Sequence, residues 1–336
     1  MLAGRPRMHD EPGPRRAGHP CPGGFQADEA MTTRDDGPTQ ASHAPTPRME
    51  RRQIGIVLVA LAGVFWSLQG PVVRLIESAS GPQIIFWRSI GQCVVMFAVV
   101  AIVSRGRVAS AFRLAGYRAV VGAVCHAAAG TCFVLAVLHT TVANVVFIMA
   151  SAPLIAAVGA WLLLRERIEM RTLGAMLAAV LGIAVMMSEG IATGDFLGTL
   201  LALVTTFGFA GIAVVARWGG GLNMLPSVCV GAGLTVVAGW LMAGGDVAVT
   251  ASDRLYALAS GGLLTAAGAT LFLYGAKFVP AAVLAFLTLT EVVLAPIWVW
   301  AAFGEVPSAH TLAGGAVVLV AICTEAVLRV RHVERP

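Results

Sequence analysis

Ten apolar stretches, in two sets of five, run from Ile54 to Leu328 and dictate what this chain can become. Each is roughly 20 residues long, the length an α-helix needs to cross the hydrocarbon core of a bilayer. They lie near 54–74, 83–104, 116–138, 141–164, 170–188, 196–216, 222–243, 255–276, 280–303 and 309–328. Only His139 and Thr140 divide the third from the fourth. Lys277 to Val279 divide the eighth from the ninth, with Pro280 at a natural helix start. Of the 336 residues 57% are hydrophobic and 12% charged, and a soluble fold of this length has too little interior for so much apolar surface. The expected fold class is all-α integral membrane, with ten transmembrane helices.

Charge between the stretches sets an orientation. With the N-terminus inside, the inner segments hold Arg48, Arg51, Arg52, Arg105, Arg107, Arg113, Arg118, Arg165, Arg167, Arg171, Arg217, Lys277, Arg329, Arg331 and Arg335. The outer segments hold only Arg74 and Arg254 as basic groups, beside Glu77, Glu189, Asp195, Asp246, Asp253 and Glu305. The positive-inside rule therefore predicts a multi-pass protein with both termini cytoplasmic. The basic residues are spread over loops rather than gathered on one face, so the net charge of +5 reads as topology and not as a nucleic-acid site.

The two sets of five resemble each other. Residues 126–173 align on 265–312 without a gap, matching Thr131 with Thr270, Phe133 with Phe272, Trp161 with Trp300, Glu166 with Glu305 and Thr172 with Thr311. Phe65 and Val72-Val73 recur as Phe207 and Val214-Val215. Five spans is an odd number, so the second copy enters from the opposite side: Glu166 ends its helix inside and Glu305 outside. The expected arrangement is two inverted five-helix repeats, 51–190 and 191–329. Two inverted copies of one shape open to either face at nearly equal energy, which alternating access needs.

A Trp-x4-Glu closing the fourth and ninth spans, each followed by a Thr-Leu stretch rich in Ala and Gly, resembles the drug/metabolite transporter superfamily, EamA type. The segments Pro153-Leu154-Ile155-Ala156-Ala157-Val158-Gly159-Ala160-Trp161 up to Arg165-Glu166, and Glu291-Val292-Val293-Leu294-Ala295-Pro296-Ile297-Trp298-Val299-Trp300 up to Gly304-Glu305, carry the likeness over about residues 54–328. The resemblance implies a permease of the cytoplasmic membrane with a central cavity between its halves. It also implies a small-metabolite substrate such as an amino acid or related solute, and no cofactor or nucleotide hydrolysis. The absence of a G-x4-GK[ST] loop agrees with this.

Polar residues inside the spans are the candidate binding or coupling residues, because an ionisable side chain at mid-membrane costs about 2.5–3.5 kcal/mol on insertion scales. Glu291, in the middle of the ninth span, is either a cavity carboxylate that binds a cation or carries a coupling proton, or a structural partner for a buried arginine. Arg88 in the second span can snorkel to the outer interface, pair with Glu291 or bind a substrate carboxylate. Gln92 lies one turn further on the same face. Trp66 and Gln69 share a face of the first span and suit a small polar-apolar solute, though a lone Trp is more often packing. His126 is a titrating group or a satisfied core histidine. Asn144 reads as helix glue. Trp298 and Trp300 point to different faces, so at most one lines a cavity. Pro153 and Pro296 interrupt helices and are hinges or ordinary kinks. Glu166 and Glu305, at helix ends near the two surfaces, are a gate pair or structural anchors.

Other classes are weaker fits. An intramembrane enzyme would need an HExxH, a nucleophile segment or paired membrane aspartates, and the expected spans contain none of these. A membrane sensor without transport would usually carry a folded soluble domain. Residues 1–50 are rich in Pro, Gly, Arg and Asp, with no apolar period, and are expected to form a disordered cytoplasmic extension. Met31 or Met49 is an alternative start to Met1, and 330–336 form a short cytoplasmic tail. Five of the six cysteines sit inside apolar stretches without metal-ligand spacing and read as small buried residues. The expected partners are thus the lipid bilayer, a small solute and protons.

Overall fold

The computed structural model describes residues 47–165, 169–193, 196–218, 225–279 and 281–333, and these form helices joined by short connections, with no strand among them. The first expected stretch is covered by α1 (Pro47–Ser67) and α2 (Gln69–Arg74), the second by α3 (Gly81–Val103) and the third by α4 (Val108–His139). The fourth comprises α5 (Val142–Met149) and α6 (Ala152–Leu164), the fifth α7 (Met170–Thr193), the sixth α8 (Phe196–Trp218) and the seventh α9 (Leu225–Met242). The eighth is composite: α10 (Ala251–Ala259), a π-helical segment at Ser260–Ala267, α11 (Gly268–Gly275) and a 3-10 turn at Ala276–Phe278. The ninth is α12 (Ala281–Phe303) and the tenth α13 (Ala309–Val333). Eight of these stretches are long and apolar enough to cross a membrane among the described residues, and α7 and α12 hold shorter apolar runs, Thr172–Ser188 and Leu287–Phe303.

Proline chemistry explains two of the breaks. Pro71 has no N–H to donate to the carbonyl of Ser67, and α1 ends at Ser67; Pro153 has none for Met149, and α5 ends at Met149. Pro153 then occupies the first turn of α6, where a missing N–H costs nothing. Pro296 lies inside α12, which continues past it. Helix starts are capped locally. Ser80 and Gln83 form a capping box on α3, the Thr141 side chain accepts the Asn144 amide at the start of α5, and Thr250 accepts that of Asp253 at α10.

Four boundaries differ from expectation. Helix α1 begins at Pro47, so Pro47–Glu50 are helical rather than part of a disordered extension; proline favours a first helical position and Met, Glu and Arg continue the helix well. Residues 1–46, with the remainder of that extension, lie outside the described residues. Helix α13 runs to Val333, past the expected start of the tail. Helix α4 begins at Val108, and the expected start at 116 is instead a kink, where Gly116 adopts φ 60° and ψ −162°. The eighth stretch starts at Ala251, so Asp253 is not in an outer loop but in the first turn of α10, and it is buried.

The helices pack in a pattern that joins the two sets of five. Helix α3 packs on α9, and α7 on α13; α1 packs on α11 and α12; α8 packs on α4, α5 and α6. The core between them gathers Ile84 and Ile85 of α3, Val134 and Val137 of α4, Ile148 of α5, Met186 of α7 and Val299 of α12. Outward faces are apolar as well: Ile102 is 76% exposed, Leu114 73% and Leu163 69%. In water such a surface would drive association; against lipid it is at home.

Candidate functional site

Among the described residues, a polar cluster in the interior of this apolar bundle surrounds Arg88. The side chain is buried, with 4% of its surface exposed, so it does not snorkel to an interface. Nη2 donates to Gln69 Oε1 at 2.8 Å and to Thr265 Oγ1 at 3.0 Å. The guanidinium also lies over the Phe133 ring, 5.5 Å from its centroid, where the ring's negative face attracts a cation. No carboxylate of the described residues comes within ion-pair distance of Arg88, so the expected pairing with Glu291 is not formed. Neutral acceptors and a ring face lower the cost of a buried cation without cancelling its charge.

Local helix geometry brings these groups together. Gln69 opens α2 just after the proline-induced break, which turns it towards α3. Thr265 sits in the π-helical segment, and its hydroxyl lies 2.9 Å from the carbonyl of Ser260, five residues back, as well as 2.9 Å from Gln69 Oε1. The hydroxyl has one hydrogen and serves one of these acceptors at a time. Single π turns inside α-helices recur at functional sites because they redirect side chains. Trp66 closes the same corner: its indole Nε1 lies 3.5 Å from the Thr265 carbonyl, the outer limit of a hydrogen bond, and its ring packs 5.4 Å from that of Phe272.

One turn along α3, Gln92 pairs with His126 Nε2 at 2.9 Å, and both are buried. The gap-free alignment of the two halves sets His126 opposite Thr265. These two equivalent positions therefore supply the groups that meet two polar residues of α3, His126 to Gln92 and Thr265 to Arg88. Thr265 is a site residue outside the expected candidates; its place opposite His126 in the repeat is the signal that points to it.

The remaining candidates lie apart from this cluster. Glu291 is half-buried on α12 where that helix crosses α1 closely: a Cβ at Gly63 would come within 3.7 Å of the Glu291 amide nitrogen. Its carboxyl has no hydrogen bond or ion pair among the described residues. Trp298 Nε1 donates to Ser67 Oγ at 3.0 Å, tying α12 to the end of α1, while Trp300 faces outward. Asn144 Nδ2 donates to Thr140 Oγ1 at 3.1 Å and across to Thr199 Oγ1 of α8 at 2.8 Å. Glu305 accepts the Val142 amide and pairs with Arg74. Glu166 lies outside the described residues. A groove of about 540 Å³ between α7 and α13, lined mainly by small apolar residues such as Gly174, Ala178 and Ala316, is separate from all of these.

Residues 53–188 match the sequence model of the EamA-like transporter family. A protein known from its crystal structure shares the fold: the similarity has a TM-score of 0.58 at 17% identity and covers 83% of this chain and 98% of the other. No curated protein matches the chain.

Proposed function

This chain is a multi-pass membrane protein of the EamA-like transporter family, in the drug/metabolite transporter superfamily, and from that premise we propose that it is a secondary transporter of a small metabolite across the cytoplasmic membrane. The carrying observation is the polar cluster of Gln69, Arg88 and Thr265, with Trp66, Gln92 and His126 beside it. It is built by spans of both five-helix sets in a bundle that is largely apolar.

The finer architecture we propose is ten spans in two inverted repeats, with both termini cytoplasmic. The matched residues, Trp161 with Trp300 and Glu166 with Glu305, support it. So does the packing: exchanging the first five stretches for the second five leaves the α3–α9 and α7–α13 contacts in place. The same exchange turns the α1 contacts with the eighth and ninth stretches into the α8 contacts with the third and fourth. Alternating access follows from such symmetry, because rocking one half against the other exposes the cluster to one face and then to the other.

Glu291 is the proposed coupling group. A carboxyl at mid-membrane with no partner among the described residues is suited to take up and release a proton as the halves move. Uptake into proteoliposomes tests the reading. Pooled amino acids, vitamins and organic cations are offered with and without a pH gradient, to the wild type and to Glu291→Gln. Gradient-dependent uptake that vanishes in the variant supports coupling through Glu291. Uptake unchanged by the substitution assigns Glu291 to structure, and no uptake by folded protein overturns the transporter reading.

A further inference from the structure

We propose that Arg88 reads a carboxylate on the transported solute, so that the substrate class is small organic monoanions and zwitterions with an apolar body; this rests on the transporter reading above. The guanidinium carries five N–H groups. Nη2 is occupied by Gln69 and Thr265. Nε is fully enclosed without a partner, and Nη1 makes no hydrogen bond among the described residues. The side chain is thus pinned from one side and left with donors to spare, in a position where water is scarce and unmade bonds are costly.

The free side faces the bare backbone of Gly130. A Cβ on this residue of α4 would lie 3.8 Å from Arg88 Nη1 and 3.8 Å from Thr235 Oγ1, ordinary contact distances, so the absent side chain leaves a methyl-sized gap beside the unpaired nitrogen. Phe133 lies against the guanidinium, and Trp66 and Phe272 pack against each other on the Thr265 side, which supplies apolar walls for the body of a solute.

Charge selects the class. Among Gln69, Arg88, Gln92, His126, Thr235 and Thr265 there is one permanent cation, Arg88, and no acid. A monoanion neutralises it, and a zwitterion meets the guanidinium with its carboxylate while adding no net charge. A phosphate dianion would leave a net negative charge buried among apolar helices, and a simple amine would add a second positive one. The proton-accepting role proposed for Glu291 is separate, since the two residues do not touch.

The test pairs each acid with its uncharged amide. Pyruvate, benzoate, alanine and phenylalanine are compared with pyruvamide, benzamide, alaninamide and phenylalaninamide, with inorganic phosphate alongside. Each is followed by thermal stabilisation of the purified protein and by flux in proteoliposomes. The proposal expects one or more acids to stabilise the wild type and be carried, with the matching amide at least tenfold weaker. It also expects Arg88→Gln to lose that preference while Arg88→Lys keeps part of it. The comparison of acid with amide needs only the wild type, so it holds even if Arg88→Gln does not fold. Equal response to acids and amides, flux confined to amines, binding of phosphate alone, or no response to any acid overturns it. Stabilisation by acids without any flux would keep Arg88 as a carboxylate site and overturn the transporter reading instead.

Discussion

Glu305 lies 3.1 Å from Arg74 through one carboxylate oxygen and accepts the Val142 amide at 2.7 Å through the other. Arg74 in turn donates to the Thr140 carbonyl at 2.9 Å. One acid therefore fastens the end of α2, the turn between α4 and α5, and the segment after α12. The side chains are 25% and 18% exposed, where an ion pair contributes about 0–1 kcal/mol. An abandoned amide at the start of a helix costs more, about 1–3 kcal/mol where it is shielded from water. Glu305→Gln, which keeps an acceptor for Val142, should lower stability by less than about 1 kcal/mol. Glu305→Ala should lower it by about 1–3 kcal/mol, and by more than Arg74→Ala does. Thermal unfolding in detergent gives the order; a larger loss for Arg74→Ala would make the ion pair, and not the amide cap, the main tie.

Gly261 permits the approach that places Thr265 on Arg88. A Cβ there would fall 1.7 Å from the Arg88 carbonyl oxygen, whereas one at Gly262 would lie 3.1 Å from that of Gly91. Helix α3 must therefore move to accommodate Gly261→Ala, at a cost of about 1–3 kcal/mol, and Gly262→Ala should cost less. Melting temperatures of the two variants decide the matter; equal effects would mean that the π segment yields rather than α3.

Helix positions were legible because long apolar runs bounded by arginine, proline and glycine leave few alternatives. The partners of Arg88 were not. Charge pointed to Glu291, the one acid in the middle of an expected span, but Gln69 and Thr265 hold the guanidinium instead. Neutral acceptors leave no mark in composition, and the π register that turns Thr265 inward has no sequence signature of its own. Asp253 misled in the opposite way. Its charge suggested an outer loop, yet it accepts the amides of Ser78 and Ala79 and the Ser78 hydroxyl at the start of α10. A buried acid surrounded by donors reads from the sequence just like an exposed one.

The hydrogen bond from Trp298 to Ser67 joins the ninth stretch to the first at the point where Pro71 has freed the Ser67 carbonyl. Ser67 Oγ also donates to the Val64 carbonyl at 2.7 Å, so its one hydrogen is used and its lone pair is open to the indole. In a double-mutant cycle, Trp298→Phe and Ser67→Ala should couple by about 0.5–1.5 kcal/mol. Coupling near zero, measured by thermal unfolding, would show that the bond is made equally well by lipid or water.

Asn144 tests whether a buried polar residue in this bundle serves binding or packing. Its amide nitrogen bridges Thr140 and Thr199, but its carbonyl oxygen is buried with no partner. Interhelical hydrogen bonds in membrane proteins average about 0.6 kcal/mol, and an unmatched buried acceptor costs about 1–3 kcal/mol. Asn144→Leu removes both contributions while keeping the branching at Cγ, and it strands no donor, because Asn144 uses only the oxygens of the two threonine hydroxyls. The variant should stay within about 1 kcal/mol of the wild type, whereas Asn144→Ala, which also opens a cavity, should fall below it. Both should keep the wild-type solute preference, because Asn144 does not touch the cluster around Arg88. A changed preference in a stable Asn144→Leu protein would place the residue on the substrate path.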